Sequence, residues 1–356
     1  MVKQATARRL WAITSYYNPA GYESRLANYR LFRERLAAPL VAVEWARNGR
    51  FDLKDGDAEI LVQLPVGDIM WQKERLLNRA LDVLPDGCDL VAWLDCDVIF
   101  EDASWIDLAC EALEDSILVH LFHERHNLPR NADDRDVGRW HDPRSAVSIM
   151  ANNACCASVR EDLASAAARA ARRTTAGLAW ASRREVLDRH KFYDACILGS
   201  GDRAMLAAAL GKFDSGARAL CMNAARRAHY LRWAEPFFNS VRGQVAHLAG
   251  RLFHLWHGDL DDRRYVERHE AREMVDFDPD ADIAFDHNGC WRWNSRKLDL
   301  HAYVRNYFAV RLEDGDDRPT DARDASTSAE PARQGQSMSK RAAAACDAER
   351  LPRGDV

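Results

Sequence analysis

The chain has 356 residues, 47% hydrophobic and 29% charged, enough for a sizeable core beneath a charged surface. Its 50 basic and 55 acidic residues leave a net charge of −5, which excludes a protein whose main work is coating nucleic acid, and no run of about 18 apolar residues is present to span a membrane. The cysteines number nine, an odd count with no Cys-x-x-Cys pair, so neither a disulfide framework nor a zinc ribbon is encoded; with no secretory leader at the start, the reading is a cytoplasmic protein.

In chain order, four short apolar runs come first: Leu10–Thr14, Leu40–Glu44, Ile60–Leu64 and Leu90–Leu94. Each has the length and the Val, Ile, Leu and Trp content of a buried parallel strand. Between them lie two amphipathic stretches, Glu23–Leu36 and Trp71–Leu84, with apolar residues at helical spacing. Strands alternating with helices predict an α/β fold with an open, twisted, mostly parallel sheet flanked by helices. Ligands of such sheets bind at the carboxyl ends of the strands. Ser116–Leu121 reads as a further strand, and the polar Glu124–Ser145 as a long loop or inserted lid. Ala151–Arg173 is Ala/Arg-rich and partly helical by composition. Gly177–Ala181 and Leu252–Trp256 read as strands. Helices are expected at Arg203–Leu210, within Ala228–Gly250 and at Leu298–Arg311, giving helical C-terminal additions. From Glu313 onward large apolar residues nearly vanish, which predicts a disordered tail. The expected organisation is a βα half over 1–115, a second half over 116–312 carrying the insertion 124–145, and a tail over 313–356.

The sharpest chemical signal is Asp95-Cys96-Asp97 at the end of the fourth apolar run. In an extended chain these two carboxylates point the same way, and such a pair is costly without a cation or a hydrogen-bond network. Mg²⁺ or Mn²⁺ would satisfy it, whereas a solvated turn is the plain alternative. His254 and His257, three apart, follow another apolar run. They are metal ligands, or one core and one exposed histidine. Gly199-Ser-Gly201-Asp202 is a tight turn opening a helix, with Asp202 as an N-cap or as a general base. Thr14, Ser15, Tyr17 and Asn18 follow the first strand at the expected ligand edge. Lys73 and Asn78 stand near the start of the next helix, where phosphate is well received. No GxGxxG turn follows the first strand and no P-loop is present.

Taken in order, these motifs resemble the GT-A class of nucleotide-sugar glycosyltransferases, in the broad family-2-like group, over roughly residues 10–310. The segment Gly177-Leu-Ala-Trp180 through Tyr193-Asp194 to Asp202 resembles the acceptor side of galactosyltransferase-type members. The resemblance implies a metal-dependent transferase moving a sugar from a nucleotide-sugar, a UDP-sugar first, to the hydroxyl of an acceptor the sequence does not name. It implies Asp202 as the base, giving inversion. It implies Asp95, Asp97, His254 and His257 around Mn²⁺ or Mg²⁺. Thr14, Ser15, Tyr17, Asn18, Lys73, Asn78 and Asp95 would hold the nucleotide-sugar, with Trp180 as a sugar platform or a core residue. The group usually carries a glutamate before that aspartate, where this chain has Gly201. The segment Glu124–Ser145 matches nothing in the group.

Rival readings are a nucleotidyltransferase on a related fold, which would carry a Gly-rich basic loop after the first strand, and a non-catalytic nucleotide-sugar-binding protein. A haloacid-dehalogenase-type phosphatase would place its Asp-x-Asp on the first strand with Thr two residues on, where this chain has Ile99. Nucleic acid enters only as a conceivable acceptor.

Overall fold

The first four apolar runs form the centre of the molecule. They become β1 (Leu10–Tyr17), β2 (Leu40–Trp45), β3 (Ile60–Leu64) and β4 (Leu90–Leu94). All four are parallel, with β1 between β2 and β4 and β3 outside β2. β1 runs three residues past the expected Thr14, because Tyr16 and Tyr17 are buried and continue the ladder to Glu44 and Trp45. The computed structural model describes residues 9–46, 49–65, 67–130, 132, 139–142, 145–150, 174–259, 261–264 and 267–315. The expected partial helix at 151–173 lies outside these residues.

The connections are α1 (Glu23–Arg35) and α2 (Lys73–Leu81). α2 buries Leu76, Leu77, Ala80 and Leu81 on one sheet face with Ile13, Val91 and Trp93, while α1 buries Tyr29 and Phe32 on the other with Ala12 and Leu90. Consecutive strand residues therefore serve opposite cores. Both faces of the sheet are covered, which explains why the runs are continuous rather than alternating.

Beyond β4 come β5 (Val98–Phe100), α3 (Trp105–Asp115), β6 (Leu118–His120), β7 (Glu124–Asn127), β8 (Ala146–Ser148), β9 (Thr174–Thr175) and β10 (Ala179–Arg183). Helices α4 (Arg184–His190), α5 (Gly201–Ala209), α6 (Phe213–Ala219) and α7 (Ala224–Val241) follow. Then come β11 (Val245–His247) and β12 (Arg251–His254), two short helices at Glu267–Glu270 and Pro279–Asp282, the hairpin β13–β14 (Ile283–Phe285, Trp291–Trp293) and α8 (Leu298–Ala309). The C-terminal additions thus include a strand pair as well as helices. Among the described residues no helix is long and apolar enough to cross a membrane.

The main sheet has seven strands in the order β11-β6-β10-β4-β1-β2-β3, and β10 is antiparallel to both neighbours. A second sheet has the order β5-β12-β7-β8-β9. Three expectations change here. The stretches 1–115 and 116–312 interleave, since β6, β10 and β11 complete the sheet begun by β1–β4, and β5 pairs with β12. The polar segment 124–145 opens with a strand, because β7 pairs with β12 on one side and β8 on the other while its polar side chains, His126 excepted, stay half-exposed. The tail does not begin at 313: Glu313 is 1% exposed, and the unit containing it extends to Gly315.

Candidate active site at the carboxyl edge of the sheet

β4 ends at Leu94, and the chain turns through Asp95, Cys96 and Asp97 into β5. Because this is a turn and not an extended run, the two carboxylates part company. Asp95 goes to a lysine, and Asp97 goes to two histidines.

Asp97 is brought to the histidines by pairing of the second sheet. β5 lies antiparallel to β12 with Val98 opposite His254, and Leu255 N donates to Asp97 O at 2.8 Å. His254 Nε2 stands 3.7 Å from Asp97 Oδ1, and His257 Nε2 stands 3.1 Å from Asp97 Oδ2. The two Nε2 atoms are 3.1 Å apart. One donor atom from each of the three residues falls within 4.8 Å of the others. On the far side of His254, Nδ1 meets Asn127 Oδ1 at 3.1 Å, a contact set by the parallel register His254–Asn127. An amide oxygen there requires the proton on Nδ1, which leaves the Nε2 lone pair facing Asp97.

The electrostatics agree. Burial holds His254 well below its usual range, hence neutral. Burial opposes charge on Asp97, yet the adjoining His257, His254 and Arg25 outweigh it and hold the carboxyl well below the ordinary value. Asp97 Oδ1 is buried and has no hydrogen-bond partner among the described residues. A buried, ionised oxygen without a donor among the described residues, beside two converging nitrogens, is a donor set that could hold a divalent metal. Arg263 Nη2 also lies against the His257 ring, 2.9 Å from Nε2 and 3.1 Å from Nδ1.

The second group sits beside this triad. Lys73, the first residue of α2, contacts Asp95 Oδ1 at 2.5 Å and Asp202 Oδ2 at 2.9 Å. Asp202 lies in the first turn of α5, and a side chain at Gly177 would fall 3.0 Å from its Oδ2. The lysine separates two carboxylates that would otherwise repel at low dielectric. Burial pushes the Asp95 carboxyl up to about 6, against the pull of Lys73.

Glu74, next on α2, is 4% exposed, and neither carboxyl oxygen has a hydrogen-bond partner among the described residues. A Cβ at position 201 would fall 2.2 Å from its Oε1, so only glycine fits there. Where the resemblance leads one to expect a glutamate before Asp202, the Glu74 side chain from α2 packs against the backbone of Gly201. Burial pushes Glu74 up to about 8, from an ordinary 4.5. The folded chain therefore holds this proton over a pH range in which the unfolded chain releases it. The contribution of Glu74 to stability falls as pH rises from about 5 to about 8, by up to about 1.4 kcal/mol per pH unit. Glu74→Gln is expected to flatten that slope and to raise the melting temperature at pH 8. A melting series from pH 5 to 8.5 with an unchanged slope in the variant would contradict this.

Of the residues expected at the site, the fold brings together Lys73, Asp95, Asp97, Asp202, His254 and His257. It places the others elsewhere. Thr14 is fully buried in β1 and its hydroxyl donates to Leu94 O at 2.7 Å. Ser15 is half-buried, opposite Val43. Tyr17 is buried against Trp45 and Phe308, and its hydroxyl accepts from Met70 N. Asn18 closes a loop through Tyr22 N and O and through Asp52. Asn78 clamps Phe192 N and O and Asp194. Trp180 is fully buried, stacked between Trp93 and His120, so it is a core residue and not a sugar platform. Hydroxyls and amides near a strand end look alike in sequence whether they meet a ligand or the backbone. Sequence reasoning missed Glu74, Asn127, Arg25, Arg263, Arg311 and Glu313. A lone charged residue far along the chain carries no local signal of its partner.

No family model and no curated protein matches the chain. Solved structures that it resembles include glucosyl-3-phosphoglycerate synthase from Mycobacterium tuberculosis in complex with Mn²⁺, UDP and phosphoglyceric acid, at 14% identity over 78% of this chain and 82% of that one, TM-score 0.35. They also include S. aureus TarS in complex with UDP-GlcNAc, at 12% identity over 65% of this chain and 72% of that one, TM-score 0.30. A third is 4-diphosphocytidyl-2C-methyl-D-erythritol synthase from Anaerococcus prevotii, at 12% identity over 68% of this chain and 87% of that one, TM-score 0.29.

Proposed function

We propose that this chain is a metal-dependent glycosyltransferase of the GT-A class, moving a sugar from a nucleoside-diphosphate donor, a UDP-sugar, to an acceptor hydroxyl. The observation that carries the reading is the meeting of Asp97, His254 and His257 beside the Lys73-bridged pair Asp95 and Asp202, at the ligand edge of a parallel sheet. One carboxylate and two imidazoles suit Mn²⁺ better than Mg²⁺, which prefers oxygen ligands alone. A bound Mn²⁺ supplies Lewis-acid neutralisation of the charge that grows on a leaving diphosphate.

The chain's own residues do the rest. Asp97 and the two histidines hold the ion. Arg263 gives up the His257 lone pair and turns its guanidinium to phosphate, for which it is suited. Lys73 keeps Asp95 and Asp202 apart and fixed. Asp202 takes the proton from the acceptor hydroxyl as that oxygen forms its bond to the anomeric carbon. The bond from the anomeric carbon to the diphosphate oxygen breaks, and the nucleoside diphosphate departs. Attack opposite the leaving group inverts the anomeric centre.

The test is a thermal-shift panel of UDP-, GDP-, CMP- and dTDP-sugars with Mn²⁺, Mg²⁺ or chelator. The expected result is a shift with UDP-sugars that needs Mn²⁺ and is smaller with Mg²⁺. At a hundredfold excess over the dissociation constant, binding adds about 2.7 kcal/mol of apparent stability. No shift with any donor, in protein shown to be folded, would sink the reading.

A further inference from the structure

The residues just past α8 pack against the metal triad. Glu313 forms ion pairs with Arg25, through Nη2 at 2.9 Å, and with Arg311 Nε at 2.6 Å. Its Oε1 stands 3.7 Å from His257 Nδ1, a nitrogen that Arg263 Nη2 also approaches, at 3.1 Å. The next residue, Asp314, caps α1, accepting from Glu23 N at 3.0 Å and Ser24 N at 2.8 Å. α1 has no side-chain cap of its own at Tyr22, so this carboxylate satisfies two otherwise orphaned amides. Arg130 Nη2 donates to Asp314 O at 2.8 Å. At Gly258, one residue beyond His257, φ is +87° and a Cβ would fall 3.0 Å from Arg311 O, Leu312 O and Glu313 Cα. The glycine lets the segment seat directly against the histidine loop.

Arg25 and Arg263 lie beside a triad that contains one carboxylate, and Arg311 pairs with the adjoining Glu313. Without a further negative charge, that positive charge opposes a divalent cation. Glu313 is 1% exposed and supplies the charge where it faces the outer nitrogen of His257. An imidazole ligand whose outer N–H faces a carboxylate is held in one orientation and one tautomer, and is more basic toward the metal.

We propose that Glu313 is a positioning residue for His257, holding its Nε2 toward Asp97 and His254 and supplying the counter-charge that lets a divalent cation bind among the arginines. This rests on the metal reading given above.

The experiment measures Mn²⁺ binding to the full-length protein by calorimetry, for the unsubstituted chain, Glu313→Gln and Asp314→Ala. Glu313→Gln is expected to weaken Mn²⁺ by about ten- to a hundredfold. Asp314→Ala removes the α1 cap without touching His257. It is expected to lower the melting temperature in chelator while leaving the Mn²⁺ dissociation constant within about twofold. Equal Mn²⁺ affinity in the wild type and Glu313→Gln would overturn the role of Glu313 and leave the metal site standing. An equal loss in both variants would overturn it too, since docking of the segment would then be the cause. Failure of the wild type to bind Mn²⁺ would overturn the metal reading itself, and this inference with it. Should Glu313→Gln not fold, nitrogen NMR of the wild type with Cd²⁺ as a diamagnetic probe decides. Metal on Nε2 of His257 with the proton on Nδ1 is expected, and metal on Nδ1 would overturn the proposal.

Discussion

Asp97→Asn is expected to weaken Mn²⁺ binding by about a thousandfold, some 4 kcal/mol at 1.4 kcal/mol per decade, and to lower transfer at least as much. The substitution keeps the shape and removes the one carboxylate of the triad. The carboxylate is ionised and buried, with Oδ2 3.1 Å from His257 and Oδ1 without a hydrogen-bond partner among the described residues. A neutral amide presents a weaker ligand oxygen and loses the charge that faces Arg25 and the cation together. Calorimetry with Mn²⁺ and initial rates of sugar transfer are the measurements. Normal metal affinity in Asp97→Asn would show that the triad is a structural hydrogen-bond cluster. A melting temperature in chelator, taken beside each titration, separates loss of the ligand from loss of the fold.

The other large effect is expected at Asp202. Asp202→Asn should lower turnover by about a thousandfold, within the usual range for loss of a general base, while Mn²⁺ and donor dissociation constants stay within about twofold. The reason is positional. Asp202 does not belong to the Asp97, His254 and His257 cluster; it lies on α5 and meets Lys73 at 2.9 Å. With the aspartate neutralised, Lys73 keeps Asp95 as its partner, so the donor side stays intact. Transfer kinetics and direct donor titration would show the split. Unchanged turnover would remove Asp202 from the mechanism, and a parallel loss of donor affinity would make it a binding residue.

These two expectations divide a motif that reads as one unit in sequence. Asp95-Cys-Asp97 announces two carboxylates at a strand end. The turn sends one to the lysine of α2 and the other to His254 at the end of β12 and His257 just beyond it, so their partners differ. The glycine before Asp202 is a similar case. In sequence it is a missing acid, and in the fold it is the space that Glu74 fills.

Much was legible along the chain because it is written at short range. Burial on both faces requires unbroken apolar runs, so Leu90–Leu94 appears as a strand with the expected ends. A helix that covers a sheet must repeat apolar residues at its own period, and Lys73–Leu81 does. Strand ends and helix starts form the ligand edge of such a sheet, which is why Asp95, Asp97, Lys73 and Asp202 stand out in the sequence; the fold sets Lys73 between Asp95 and Asp202 and Asp97 beside the histidines. Pairing between distant segments has no such local trace. The register of β5 on β12, which sets His254 beside Asp97, joins residues more than 150 apart in the chain. The sorting of Thr14 and Trp180 into the core, and of Glu313 into the site, follows from which polar groups found partners as the sheets closed. Hydrophobic periodicity specifies which face of an element is buried. It leaves open which distant element covers that face, and for a buried charge the answer to that question is its function.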